Sequence, residues 1–439
     1  MTDTTGQSWG RYPRVEQRLH RLYDRSTPLP ALREAALPHG NGRSYGDSCL
    51  NPGGALYLTR GLDRFIAFDP ATGVLRCEAG VTLDEVIRLV LPQGWFLPVT
   101  PGTRYATVGG AIANDVHGKN HHRAGSFGHH ILEMELLRTD GSRHLLQAGH
   151  PSGLFEASVG GLGLTGIILW AELQLRRVQG PWLETECIRF RNLDEFFELS
   201  QASSSGYEYT VAWIDCLAKG KQTGRGHFLR SDHAPGDGRS EPRQGQRNMP
   251  LTPPFSMVNS LTLGAFNTAY YWRQPSIRKR YSAHYRSYFY PLDGIANWNR
   301  MYGPKGFLQH QCVLPAETAR DAVSALLTEI SHSGSGSFLA VLKEFGNIPS
   351  LGLLSFPRPG TTLALDFPNT GQDVFRLLDR LDRIVAHAGG AIYPAKDARM
   401  SAEMFKSGFP AWQQFQRYVD PQLSSGFWRR VTEVSCNGF

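Results

Sequence analysis

Three stretches of the chain carry residue types that can do chemistry. The first is Gly40-Asn41-Gly42-Arg43-Ser44-Tyr45-Gly46-Asp47. Glycines at this density let backbone N–H groups close in on a phosphate and form an anion-binding concavity. The loop is not of the Walker type, because the G-K-[ST] ending is missing; a plain surface turn has a similar composition. The second stretch runs Pro101-Gly102-Thr103, then Thr107-Val108-Gly109-Gly110-Ala111, and ends in Asn114-Asp115-Val116-His117-Gly118-Lys119-Asn120-His121-His122. Two glycine loops within about 70 residues can clamp the two ends of a pyrophosphate. Its three histidines invite a metal, but no acidic or cysteine partner stands at ligand spacing, so no metal is expected. The third stretch is Tyr393-Pro394-Ala395-Lys396-Asp397-Ala398-Arg399. A lysine just past a strand, beside Asp397 and Arg399, can meet a substrate oxygen, although a lone lysine is more often a surface charge. A fourth candidate misleads. Gly161-Leu162-Gly163-Leu164-Thr165-Gly166 spells G-x-G-x-x-G, but Ile167-Ile168-Leu169-Trp170 continues it as a strand where a dinucleotide fingerprint must open a helix.

The elements that position these residues follow from periodicity. Residues 55–59, 65–68 and 74–78 read as strands, and the apolar run 167–175 as a buried one. Thr82-Leu83-Asp84-Glu85 is a capping box that opens a helix stopped at Gly94. From residue 307 the pattern becomes regular: strand 307–314, helix 316–330, strand 338–343, strand 362–367, helix 373–388 and strand 391–393. Such tandem units predict an α+β sheet with helices on one face. Alternation puts Gln309 and Gln311 on one face of their strand, Val341 and Lys343 on one face of the next, and Thr362, Ala364 and Asp366 on one face of a third. Residues 218–250 are polar and rich in Gly, Arg, Asp and Pro, and read as a long mobile loop.

At 439 residues the chain suits two or three domains, and 41% hydrophobic residues suffice for packed cores. The charge balance is basic, 46 Lys+Arg against 39 Asp+Glu. Five of those cations, Arg273, Arg278, Lys279, Arg280 and Arg286, fall among tyrosines in residues 272–286, which reads as a phosphate or lipid-surface patch or as a solvated loop. No nucleic-acid module accompanies it. Cys49, Cys77, Cys187, Cys216, Cys312 and Cys436 stand far apart, which predicts reduced thiols and a cytoplasmic-type compartment. No signal-peptide pattern opens the chain and no stretch is long and apolar enough to span a membrane, though residues 251–272 can graze one.

At its loops the sequence resembles the decaprenylphosphoryl-beta-D-ribose oxidase family of the vanillyl-alcohol oxidase / p-cresol methylhydroxylase flavoprotein superfamily. Stretches that carry the resemblance include Trp9-Gly10-Arg11, Gly42-Arg43-Ser44-Tyr45-Gly46-Asp47, Pro101-Gly102-Thr103-Arg104 and His117-Gly118-Lys119-Asn120-His121-His122. Ala124-Gly125-Ser126-Phe127-Gly128, Gly306-Phe307-Leu308-Gln309, Asp366-Phe367-Pro368 and Ala395-Lys396-Asp397 extend it over nearly the whole chain. The resemblance implies a two-domain α+β flavoprotein: an FAD-binding domain from residues 1–180, an antiparallel-sheet substrate domain from 181–392, and a tail, 393–439, that completes the first.

It further implies non-covalent FAD, since covalent relatives often carry histidine where this loop has Arg43. The expected cofactor residues are Gly40, Asn41, Gly42, Arg43, Ser44, Tyr45, Gly46, Asp47, Gly102, Thr107, Val108, Gly109, Gly110, Asn114, Val116 and His117, with Ile167 and Tyr393 nearby. Lys396 is the leading catalytic residue, as base or as charged anchor, with His117 against the flavin. Gln309, Gln311, Lys343, Trp213 and Tyr45 are expected at the sugar, and Lys343 at a substrate phosphate. The implied reaction is oxidation of a polyprenyl-phosphate pentose to the 2-keto sugar, with a short-chain reductase partner finishing an epimerisation and a peripheral position at the inner membrane face. The alternative is an oxidase of soluble alditols or aldonolactones. Ala364 replaces a cysteine found in mycobacterial members, Thr362 an asparagine and Phe289 a tyrosine, so the sugar and lipid can differ from theirs.

Overall fold

The computed structural model describes residues 5–235 and 245–433; Cys436 lies outside them. A small parallel sheet, in the order Arg18–Arg21, Ala55–Leu58, Ala36–His39, starts the chain. Its middle strand is buried throughout, as a central parallel strand should be. A five-stranded antiparallel sheet follows, ordered Phe65–Asp69, Val74–Glu78, Ile167–Gln174, Ile131–Leu137, Arg143–Leu146. Ile167–Gln174, the expected apolar run, occupies its centre. The glycine motif before it therefore leads into a strand, as its apolar sequel predicts.

The third sheet has eight strands, every neighbouring pair antiparallel. Its order is Arg278–His284, Trp182–Phe190, Gly226–Ala234, Tyr209–Ile214, Val341–Phe345, Gly360–Pro368, Phe307–Leu314, Ala391–Ile392. Helices Ala316–Ser333 and Gln372–His387 cover one face. They drive Val323, Leu326, Ile330, Leu377, Leu381 and Val385 against Leu308, Cys312, Leu314, Leu363 and Leu365. That burial removes every other side chain of each strand from water, so the intervening ones share the opposite face. Register aligns them: Gln309 opposite Asp366, Gln311 opposite Ala364, Ala364 opposite Val341, and Lys343 opposite Thr362. The result is an α+β protein with antiparallel sheets.

Two expectations need correction. Residues 218–250 are not one long loop, because Gly226–Ala234 is a nine-residue strand inside the large sheet. Its polar side chains are matched by distant partners: the His227 ring faces the carbonyls of Tyr270 and Tyr271 at 3.1 Å, and Ser231 Oγ donates to Thr185 Oγ1. Of the remainder, residues 236–244 lie outside the described residues. The strand expected at 338–343 begins only at Val341. The Phe338 carbonyl instead accepts from the Trp213 indole at 2.9 Å, and that of Leu339 from the Ser337 hydroxyl.

An early strand and a late segment of the chain meet. Residues 422–424 pair beside Ala36, through Ala36 N to Gln422 O at 2.8 Å and Ser424 N to Ala36 O at 2.9 Å. The capping box forms as expected: Thr82 Oγ1 accepts from Glu85 N, and Glu85 Oε2 from Thr82 N at 2.8 Å. Helix Leu83–Val90 then buries Val86, Ile87 and Val90, and Thr82 itself bridges to Thr107 in the second glycine loop. A Thr82→Ala change removes the side-chain half of this box and is expected to cost about 1 kcal/mol, read as an earlier urea-unfolding midpoint. An unshifted midpoint would show that the box is dispensable.

Candidate functional site

A cavity of about 590 Å³ opens between the glycine loops and the polar face of the large sheet, a size suited to a substantial organic ligand. The first loop leaves strand Ala36–His39 and turns at Gly42, whose φ of +59° and 2.3 Å separation between a would-be Cβ and Gln7 O exclude other residues. A Cβ on Gly40 would meet Thr107 Oγ1 at 2.4 Å, so the two glycine loops converge in space. Trp9 N donates to Ser44 O and Gly10 N to Tyr45 O, while Phe307 N donates to Gly10 O. Trp9-Gly10-Arg11 thus splices the first loop to the large sheet. Among the described residues no protein acceptor faces the amides of residues 41–44. Arg43 Nε and Ser48 Oγ, both in the cavity wall, are also buried without a partner. Each such orphan costs about 1–3 kcal/mol, so the wall fits a polar, anionic group such as a dinucleotide diphosphate.

The second loop works differently from expectation. Val108 N donates to Val81 O, Gly109 N to Ala79 O and Gly110 N to Thr107 Oγ1, so these amides are already occupied. Gly109 and Gly110 line the cavity by lacking side chains, not by offering donors. Beyond them Asp115 sits at φ 38°, a strained setting for a non-glycine residue. Its buried carboxylate holds the turn by accepting from Gly128 N at 2.9 Å and Ser355 Oγ at 2.6 Å. That turn delivers Val116 and His117 to the cavity. The three histidines then part: His117 lies 4.8 Å from the Phe345 ring, His121 4.6 Å from its own side of it, and His122 Nε2 3.0 Å from Tyr207 O.

His117 is gripped at both ring nitrogens. Lys343 Nζ lies 2.8 Å from Nδ1 and also donates to Gly118 O at 2.9 Å, while the Gln311 amide lies 3.0 Å from Nε2. Burial, then the charges of Lys343, His121 and Lys396, push the imidazole well below its ordinary pKa, so it is neutral. A neutral ring has one acceptor and one donor. With the ammonium of Lys343 donating to Nδ1, the proton belongs on Nε2, and Gln311 must present its amide oxygen there. Thr362 Oγ1, 3.3 Å from the same amide, completes the chain.

Lys396 projects into the same space with Nζ 3.7 Å from the Tyr45 ring centroid. Burial lowers its pKa, opposed by the charge of Asp366; burial likewise raises the carboxyl of Asp366, which accepts from Gln309 Nε2 at 2.5 Å. Tyr45 N donates to Ala395 O at 2.9 Å, and a Cβ on Gly46 would fall 1.7 Å from Asp397 O, so loop and lysine turn lie in backbone contact. Arg430, on the helix Gly426–Thr432, joins them by bonding Asp47 at 2.7 Å and Asp397 at 3.0 Å.

Of the residues expected at the site, Gly40 to Tyr45, Gly102, Thr107, Gly109, Gly110, Asn114, Val116, His117, Trp213, Gln309, Gln311, Lys343, Tyr393 and Lys396 line one cavity. Four others do not. Gly46 and Asp47 serve the junction with Asp397 and Arg430, Val108 is core, and the Ile167 side chain packs with Ala55, Tyr57 and Leu62 while Gly166 and Ile168 flank the cavity. Ala364, Thr362 and Phe289 are in the wall. Sequence reasoning missed Lys119, whose Nζ lies 4.2 Å from the Tyr288 ring and donates to Tyr288 O, and Tyr270; Arg273, read as part of a phosphate or lipid-surface patch, lines the same cavity. Lys119 stood inside a quoted motif; its burial was the missing signal.

Replacing Arg430 by Met leaves Asp47 and Asp397 facing each other without a cation. This is expected to cost about 3 kcal/mol and to release cofactor on gel filtration, with Arg430→Lys partly restoring it. Full retention by Arg430→Met would show that the tie does not set the site.

Residues 31–147 match a family model described as an FAD binding domain. The chain is 38% identical over 399 residues to decaprenylphosphoryl-beta-D-ribose oxidase of Mycolicibacterium smegmatis, across 88% of this chain and 86% of that protein. It is 36% identical over 357 residues to an uncharacterized protein in mprA 5'region of Streptomyces coelicolor, across 78% of this chain and 96% of the other. A shorter stretch of 105 residues is 30% identical to D-2-hydroxyglutarate dehydrogenase of Escherichia coli, covering 24% of this chain and 10% of that one. The cofactor is FAD, and the protein is an FAD-dependent oxidoreductase acting on CH–OH groups. The chain belongs to the decaprenylphosphoryl-beta-D-ribose oxidase family.

Proposed function

We propose that the protein oxidises a secondary alcohol of a pentose carried on a polyprenyl phosphate, giving the 2-keto sugar, and that a short-chain reductase completes an epimerisation. The observation that carries this reading is charge. Lys119 and Lys343 are buried in the cavity, and among the described residues neither forms an ion pair with a carboxylate. Burial pulls both toward a pKa of about 7, with Lys119 and Lys396 adding to the shift of Lys343. A substrate phosphate supplies the missing counter-charge. Lys343 keeps one of its three N–H donors for it, after His117 and Gly118. A neutral alditol or aldonolactone would leave both cations uncompensated.

FAD, held non-covalently, supplies a hydride acceptor when bound. Gln309, Gln311 and Trp213 orient the sugar, and neutral Lys396 takes the hydroxyl proton. His117 is fixed by Lys343 and Gln311 as a neutral hydrogen-bonding post. The residues divide on this reading into an FAD-binding part, 1–180 with 393–439, and a substrate part, 181–392. The lipid-linked substrate places the enzyme at the inner membrane face as a peripheral protein.

Anaerobic mixing with polyprenyl-phospho-pentoses is expected to bleach the flavin, whereas soluble alditols should do so poorly. Equal bleaching by both would favour the soluble-substrate reading. Lys396→Ala is expected to retain FAD and lose most of the bleaching rate; an undiminished rate would remove its catalytic role. Protonated Lys396 cannot accept a proton, so the wild-type rate should rise with pH as its lowered pKa is passed. Asp366→Asn deletes the charge that favours the ammonium, so the inflection should move to lower pH. A shift to higher pH would contradict the assignment of Lys396 as base.

A further inference from the structure

Seven of the fourteen large apolar side chains found exposed among the described residues fall between positions 251 and 277. Their centre is the helix Ser260–Trp272, which has no charged residue in thirteen positions. It buries Leu263, Asn267 and Tyr271, one face at helical spacing, and turns Leu261, Ala265, Phe266 and Trp272 outward. Leu261 is 81% exposed, and Leu251 and Phe255 just before the helix are 76% and 72% exposed. A surface helix in water normally does the reverse. The orientation is built in, because Asn267 Nδ2 donates to buried Asp215 Oδ1 at 3.1 Å. Swinging the apolar face inward would break that bond.

The chain segment that carries this face has charge of one sign. Residues 245–292 contain six Lys and Arg and no Asp or Glu. Arg273 follows the helix, and Arg278, Lys279 and Arg280 lie exposed on the edge strand of the large sheet, where alternation turns Lys279, opposite Cys187, to the helix's side and Arg278 and Arg280 to the other. Arg280 is paired with Glu186 at 3.0 Å. The same helix end supplies Tyr270 and Arg273 to the cavity that contains Lys396. The apolar face therefore sits beside a wall of that cavity.

We infer that helix Ser260–Trp272 and its flanks seat the enzyme on an anionic lipid bilayer, with the cavity opening toward it. Such a surface answers both halves of the patch: apolar side chains enter the acyl boundary and the cations meet lipid phosphates. A second copy answers only one, since an isologous contact would press cations on cations. The inference deepens the polyprenyl-phosphate reading, on which it rests for the substrate's source.

The test is co-sedimentation of the FAD-loaded protein with vesicles of phosphatidylcholine alone or of an equal mixture with phosphatidylglycerol. Binding is expected to the mixed vesicles, weakened by salt, with little to phosphatidylcholine. The double variant Leu251→Asp/Leu261→Asp should bind roughly tenfold more weakly, and Lys279→Glu by a similar factor. Both variants should keep wild-type flavin absorbance and thermal unfolding, and bleach normally with a short-chain, water-soluble phospho-sugar. Equal sedimentation of wild type and Leu251→Asp/Leu261→Asp would overturn the proposal, as would no vesicle binding at all. So would a wild-type dimer in ultracentrifugation that this variant dissolves. If the vesicles bind as expected but no polyprenyl phospho-sugar bleaches the flavin, the substrate reading falls and the docking surface stands.

Discussion

Lys396 reaches its position through a backbone contact made between distant parts of the chain. Tyr45 N donates to Ala395 O, Gly46 lies flush against Asp397, and Arg430 ties Asp47 to Asp397. Nothing larger than glycine at position 46 leaves that contact intact. The loop with open amides and the turn that carries the reactive amine are therefore one piece of structure. The first loop and Lys396 acquire their relative geometry from it, and the large sheet then places Gln309, Gln311 and Lys343 against the same space.

The second governing effect is desolvation. Three lysine side chains, Lys119, Lys343 and Lys396, are drawn out of water into one cavity, and among the described residues only Lys396 has its lowered pKa opposed by a carboxylate, Asp366. A neutral His117 wedged between Lys343 and Gln311 spreads these demands through hydrogen bonds without adding charge. On the proposed function a substrate phosphate answers the cations, while the Asp366 carboxylate stays with Lys396.

Much of this was legible before any coordinates. Period-two alternation placed Gln309, Gln311, Lys343, Thr362 and Ala364 on one surface, because helices on the other side demanded apolar residues at the intervening positions. Local chemistry also announced the Thr82 capping box. What stayed hidden depended on distant partners. The strand Gly226–Ala234 looks polar because its side chains are matched by Tyr270, Tyr271 and Thr185. The amides of Val108 and Gly109 look free until Val81 and Ala79 arrive to accept them. Asp47 and Gly46 resemble ligand-binding residues, yet their partners are Arg430 and Asp397.

The Arg430 tie also bears on how the protein is made. Asp47 leaves the ribosome early, but its cationic partner is added some hundreds of residues later, when nearly all of the chain described here has been synthesised. A nascent chain can fold its first strands without that guanidinium, but it cannot lock the lysine turn against the first loop. The junction of first loop and lysine turn is thus completed only after translation has passed Arg430.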